Sequence, residues 1–278
     1  MSIIEIKNKE ASINLYYEDW GSGTPVIFIH GWPLSHEMWE YQMNTLAEQG
    51  LRCIAYDRRG FGKSDKPWDG YDFDTLAHDL NGFLEALDIN GAVLVGFSMG
   101  GGEVVRYLSH FGSKRVSKAV LISSVAPVLI QKRNNPEGVP AEKFDEMIIQ
   151  LKKDRPAFLA AFGKQFYGEK WILKAVSNET LEWTSQLALK GSPKATIECI
   201  RSFSETDFRS DLEKIEIPIL VIHGDADKIV PFDTTGKIAA RLIKNGKLSV
   251  FEGAPHGLFF TDSDRLNSEL ISFINEQM

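Results

Sequence analysis

Ala92-Val93-Leu94-Val95-Gly96-Phe97-Ser98-Met99-Gly100 is the stretch that decides the fold of this 278-residue chain. Its opening apolar run reads as a strand buried on both faces. A tight glycine turn follows, and then a helix-compatible segment from Met99 to Phe111. Gly96 and Gly100 lack Cβ atoms, so the backbone can turn sharply at the strand end and the next helix can pack close. The order strand, turn, serine, helix presents the Ser98 hydroxyl at the carboxyl edge of a sheet, over a helix N-terminus that favours negative charge. A serine so placed is a candidate nucleophile.

Outward from this stretch, the same kind of apolar run recurs. Val26-Ile27-Phe28-Ile29, Cys53-Ile54-Ala55-Tyr56, Ala119-Val120-Leu121-Ile122, Ile219-Leu220-Val221-Ile222 and Leu248-Ser249-Val250-Phe251 are all expected to be strands. Helical periodicity fills the intervals His36–Gln49, Phe73–Leu87, Thr235–Ile243 and Asp264–Glu276. Strands alternating with helices predict a mostly parallel, doubly wound sheet covered on both faces. At the N-terminus, Ile3, Ile4 and Ile6, then Ile13, Leu15 and Tyr17, alternate with polar neighbours. With Asn8 to Glu10 between them they predict an antiparallel hairpin.

The alternation stops between about 128 and 213. That span opens with the polar segment Gln131–Gly138, expected to be a mobile loop, and continues with helical patterns at Phe144–Lys152, Ala157–Tyr167, Asn178–Leu189 and Lys194–Ser202. Residues 1–127 and 214–278 are therefore expected to form the α/β core, and 128–213 a helical cap over the carboxyl edge, where ligands bind.

Composition bounds the function. An apolar content of 43% permits a large core, and a net charge of −7 without a basic block argues against nucleic-acid or anionic-membrane partners. No apolar leader or membrane-length segment stands out, so a soluble cytoplasmic protein is expected. Cys53 and Cys199 share no motif and read as small buried hydrophobes.

A serine needs a base to take its proton and a third group to orient that base. His256, in Gly253-Ala254-Pro255-His256-Gly257 directly after the last strand, is the candidate base. His223-Gly224-Asp225-Ala226-Asp227 offers two acids after an earlier strand. Asp227, further past the strand, is better placed to reach His256, and Asp225 to bond backbone amides in the turn. Candidate oxyanion donors are the amides of Met99 and of Trp32 in His30-Gly31-Trp32-Pro33, where Pro33 restricts the backbone of Trp32. Other histidines receive structural readings: His30 and His223 satisfy backbone groups, and His36, His78 and His110 have no partner pattern. No zinc-type spacing is present, so no metal is expected. Asp57-Arg58-Arg59-Gly60-Phe61-Gly62 lacks the third glycine of a dinucleotide loop and reads as a turn held by Arg–Asp contacts. Phe158, Phe162 and Phe166 fall on one helix face, mainly core, with part of it available to an acyl pocket.

Gly96 to Gly100, His30 to Pro33, Tyr56 to Gly60, His223 to Pro231 and Pro255 to Gly257 together resemble the α/β-hydrolase fold. More narrowly, the chain resembles the bacterial aryl esterase and cofactor-free haloperoxidase (perhydrolase) group. That resemblance implies Ser98, His256 and Asp227 as a catalytic triad, Trp32 and Met99 amides as the oxyanion hole, no cofactor, and a homo-oligomer, trimer or hexamer. Together with Pro33 and Phe162, the positions Phe166, Ile229 and Val230, which resemble acyl-pocket residues, make up the expected substrate pocket.

The expected chemistry is two-step acyl transfer on small aryl or alkyl esters, with hydrogen peroxide able to replace water and give a peracid. A serine in place of the aspartate used by dehalogenases and epoxide hydrolases argues against alkyl-enzyme chemistry. Amidase, lactamase or carbon–carbon hydrolase action on the same triad remains open, as does non-catalytic binding of a small ligand.

Overall fold

Eight strands form one sheet in the order β1-β2-β4-β3-β5-β6-β7-β8. The structure, a computed structural model, describes residues 2–7, 12–168 and 175–276. β1 (Ser2–Lys7) and β2 (Ser12–Trp20) pair antiparallel, and β2 joins β4 (Leu51–Tyr56) antiparallel as well. From β4 onward every pairing is parallel, through β3 (Thr24–Ile29), β5 (Ala92–Phe97), β6 (Val116–Ile122), β7 (Ile219–Gly224) and β8 (Gly246–Phe251). The expected turn of the first hairpin, Asn8 to Glu10, lies outside the described residues.

The central strands carry unbroken apolar runs because helices cover both faces; every residue of β5 and β7 is buried. α1 (Glu40–Glu48) packs with the last helix, Ser263–Asn275, and α2 (Phe73–Ala86) with α3 (Met99–Phe111). α2 shows how sequence sets an element. Asp72 caps it by accepting from the Thr75 amide, and Phe73, Leu76, Leu80, Phe83 and Leu84 bury one stripe. Cys53 and Cys199 are buried free thiols, and burial pushes both up to about 12.

Between β6 and β7 the described residues hold helices and no strand: α4 (Ala141–Phe166), α5 (Asn178–Leu189), α6 (Pro193–Glu205) and α7 (Arg209–Leu212). α4 breaks at Asp154, whose φ of −154° and ψ of 87° are not helical, two residues before Pro156. Proline disfavours helical angles in its predecessor and donates no amide, and Asp154 recaps the second half by accepting from Ala157. The two helical patterns read on either side of this point are thus one bent element. The segment Gln131–Gly138, expected as a mobile loop, is instead a hydrogen-bonded turn. Gln131 donates to the Val139 carbonyl at 2.8 Å, and Asn135 and Lys132 exchange both backbone bonds. No described helix is long and apolar enough to cross a membrane.

Candidate active site

The loops after β3, β5, β7 and β8 all leave the same carboxyl edge of the sheet, beside the β3–β5 junction where the strand order reverses. Ser98 follows β5 with φ 53° and ψ −116°, backbone angles that a side chain strains. Close packing holds the turn. A Cβ on Gly96 would lie 2.5 Å from the Gly100 carbonyl oxygen, and one on Gly100 would lie 2.3 Å from that of Ile29. Ser98 donates its amide to Ile122 and stands at the N-cap of α3, yet its hydroxyl caps nothing there. That leaves Oγ free for another partner.

The partner is His256. Its Nε2 lies 3.0 Å from Ser98 Oγ, and its Nδ1 lies 2.6 Å from Asp227 Oδ2. Asp227 is in turn fixed by its other oxygen, which accepts the Ile229 and Val230 amides at 2.9 and 2.8 Å. Burial would raise the Asp227 carboxyl, but His256 and His223 outweigh it and hold the group well below the usual carboxylate range. Asp225 lies in the turn beside this chain and accepts the Gly253 amide at 2.6 Å, tying the Asp227 loop to the His256 loop.

The His30–Pro33 loop lies directly against the serine: a Cβ on Gly31 would sit 3.2 Å from Ser98 Cβ. Among the described residues the Trp32 amide has no acceptor. The Trp32 ring is anchored in the helical insertion. Its Nε1 donates to the Thr196 carbonyl of α6 at 3.0 Å, and Phe162 and Phe203 pack on it at 5.2 and 5.6 Å. Met99 opens α3 immediately after Ser98.

A cavity of about 330 Å³ opens onto Ser98, His256 and Trp32. Phe158, Phe162, Ile229 and Val230 are among its walls, and Lys143, Glu146 and Lys228 add charge. Two expected pocket residues are elsewhere. Phe166 does not line the cavity; it packs edge-on against the His256 ring at 5.0 Å and against Phe97 at 5.8 Å. Phe166 lies one helical turn beyond Phe162, whose ring it meets at 6.0 Å. Pro33, buried in the turn with Trp32, does not line the cavity either.

Sequence reasoning missed three polar contacts. His36, read as partnerless, has its Nδ1 2.7 Å from Asp57 Oδ1. The Arg58-Arg59 turn is held by an Arg–Asp contact as expected, Arg59 with Asp79 of α2 at 2.7 Å, but Arg58 pairs with Glu103 of α3 at 2.7 Å. His30 bonds backbone as expected, accepting from Arg58 N at 2.9 Å. His223 bonds the Val230 carbonyl, but its Nε2 also lies 3.3 Å from Asp227 Oδ2. The only signal for that contact was the four-residue spacing in His223-Gly224-Asp225-Ala226-Asp227. Among the described residues no cluster of three or more His, Cys, Asp or Glu could hold a metal ion.

The alpha/beta hydrolase fold family matches residues 24–263. The chain is 43% identical to the non-heme chloroperoxidase of Streptomyces lividans over 264 residues, 94% of this chain and 96% of that one. It is 43% identical to the bifunctional esterase/perhydrolase of Acinetobacter calcoaceticus, again over 94% and 96% of the two chains. A bromoperoxidase from Bacillus anthracis superposes with a TM-score of 0.95 at 45% identity, over 99% of this chain and all of that one. The chain belongs to the α/β hydrolase fold family, among its enzymes named non-heme haloperoxidases and esterase/perhydrolases.

Proposed function

We propose that this protein is a serine hydrolase of small carboxylic esters that also transfers its acyl group to hydrogen peroxide. The observation that carries the reading is the hydrogen-bonded chain Ser98 Oγ, His256, Asp227 on the wall of an apolar cavity. His256 Nε2 takes the Ser98 proton as Oγ attacks the ester carbonyl, and Asp227 stabilises the imidazolium that forms. The Trp32 and Met99 amides stabilise the developing oxyanion, each worth about 3 kcal/mol of barrier. His256 returns the proton to the leaving alcohol, and Ser98 keeps the acyl group.

Water then attacks the acyl-enzyme, the bond to Ser98 Oγ breaks, and His256 hands the proton to the serine. Hydrogen peroxide does the same with one of its oxygens and leaves as the peracid, which carries the oxidising equivalent to halide in solution. The walls from Phe158, Phe162 and Val230 suit an aryl or short alkyl acyl group. The names of the Acinetobacter and Streptomyces relatives support both branches.

The test is hydrolysis of p-nitrophenyl acetate by the wild type and by Ser98→Ala, with and without peroxide. Loss of the serine is expected to lower turnover by about 10⁴-fold or more. Peracid is expected to form above the rate from peroxide and ester alone only with the wild type. Equal ester hydrolysis by both proteins would refute the hydrolase reading. Peracid forming no faster than from peroxide and ester alone would remove the second branch.

A further inference from the structure

His223 is the penultimate residue of β7 and has no exposed surface. Its Nε2 lies 2.9 Å from the Val230 carbonyl oxygen and 3.3 Å from Asp227 Oδ2. A carbonyl can only accept, so the proton is on Nε2. Nδ1 is then a bare lone pair, and it has no hydrogen-bond partner among the described residues. Gly236 leaves just enough room for it, since a Cβ there would lie 2.4 Å from Nδ1.

The contacts close a small circuit. The Val230 amide donates to Asp227 Oδ1, the Val230 carbonyl accepts from His223 Nε2–H, and the same nitrogen lies 3.3 Å from Asp227 Oδ2. Oδ2 is the oxygen that takes His256 Nδ1. The carboxylate thus has the Ile229 and Val230 amides on Oδ1 and His256 Nδ1 on Oδ2, with the His223 nitrogen beside Oδ2. Burial of an unpaired nitrogen is unfavourable, so an apolar ring would fill this space better if packing alone mattered. What histidine adds is the Nε2–H.

We propose that His223 is a positioning residue, whose Nε2–H clamps the Val230 carbonyl to the Asp227 carboxylate and so aims Oδ2 at His256. The proposal rests on the reading of Asp227 as the acid of the triad. It accounts for the low-lying Asp227 carboxyl, on which His256 and His223 are the titratable groups that bear. It also ties the triad to the cavity wall, because Val230 belongs to both.

The experiment compares His223→Leu, which removes the donor, with His223→Gln, whose amide nitrogen reaches the same carbonyl. Each is made in the wild type and in Asp227→Asn, and kcat/KM for p-nitrophenyl acetate is measured against the uncatalysed rate. His223→Leu is expected to lose about tenfold or more, His223→Gln to recover most of it, and His223→Leu in Asp227→Asn to lose less than about twofold further. The same tenfold loss in both backgrounds would mean a merely structural residue and would overturn the proposal. The proton NMR signal of His256 Nδ1–H, assigned by its absence in His256→Gln, reads the pair without turnover. It is expected far downfield in the wild type and His223→Gln, and shifted upfield in His223→Leu; an unmoved signal would overturn the proposal even if the hydrolase reading had failed. Should His223→Leu not fold, His223→Asn takes its place, since its shorter amide falls short of Val230.

Discussion

Ser98 combines a positive φ with a side chain, an arrangement that costs about 1–3 kcal/mol. The surrounding contacts impose it: the Ser98 carbonyl accepts from Gly101 and Val125, and its amide donates to Ile122. Glycine relieves the strain but loses about 0.5–1 kcal/mol more through its freer unfolded chain. Strain exceeds entropy here. Ser98→Gly is therefore expected to be more stable than Ser98→Ala by about 1 kcal/mol, both being inactive, in urea denaturation. A glycine variant less stable than the alanine variant would show that the turn is relaxed. The three residues of the Ser98–His256–Asp227 chain were each legible in sequence because each follows a strand that can be recognised by its own apolar run. Phe166 and Pro33 were not, because which side of a helix or turn faces a cavity depends on partners that local sequence does not specify.

At the scale of elements, the strands and helices of the sheet announced themselves because burial on both faces leaves continuous apolar runs. The helical insertion was visible as the place where such runs stop. Its internal geometry was less so. Asp154 and Pro156 turn two helical patterns into one bent helix, and the polar composition of Gln131–Gly138 concealed a turn closed by backbone bonds. Polar residues are equally at home in a loose loop and in a hydrogen-bonded one. The ion pairs Arg58–Glu103 and Arg59–Asp79 join the turn after β4 to α3 and α2 across 45 and 20 residues of sequence. Separation of that order carries no periodic signal. These contacts matter to the site because Arg58 also donates to the His30 carbonyl at 2.7 Å, fixing the base of the loop that carries Trp32.

For the whole molecule, the same buried cluster predicts how stability responds to acid. Burial, with the Arg58 charge beside it, pushes the His30 imidazole down to about 3. Unfolded, a histidine titrates near 6.5. Between these values the unfolded chain binds a proton that the folded chain refuses, so stability rises with pH and is lost on acidification. One such proton is worth about 1.4 kcal/mol per pH unit. The depressed Asp227 carboxyl acts in the same direction, but only below the ordinary carboxylate range near 3.9. Denaturation between pH 6 and 4.5, a window chosen to lie above that range, should thus show a slope that His30→Gln reduces by about 1.4 kcal/mol per unit. An identical slope in the variant would mean that His30 is protonated in the folded state.

The central claim is that Ser98, driven by His256, is the atom that takes the acyl group. Reaction with a p-nitrophenyl alkylphosphonate, whose phosphorus accepts a serine nucleophile and is not readily released, tests it most directly. The protein is digested and the adduct located by tandem mass spectrometry, beside a count of the p-nitrophenol set free. One equivalent of nitrophenol, an adduct on Ser98 alone, and neither in His256→Ala is the predicted result. Esterase activity that survives the reagent, or an adduct on any other residue, would contradict it.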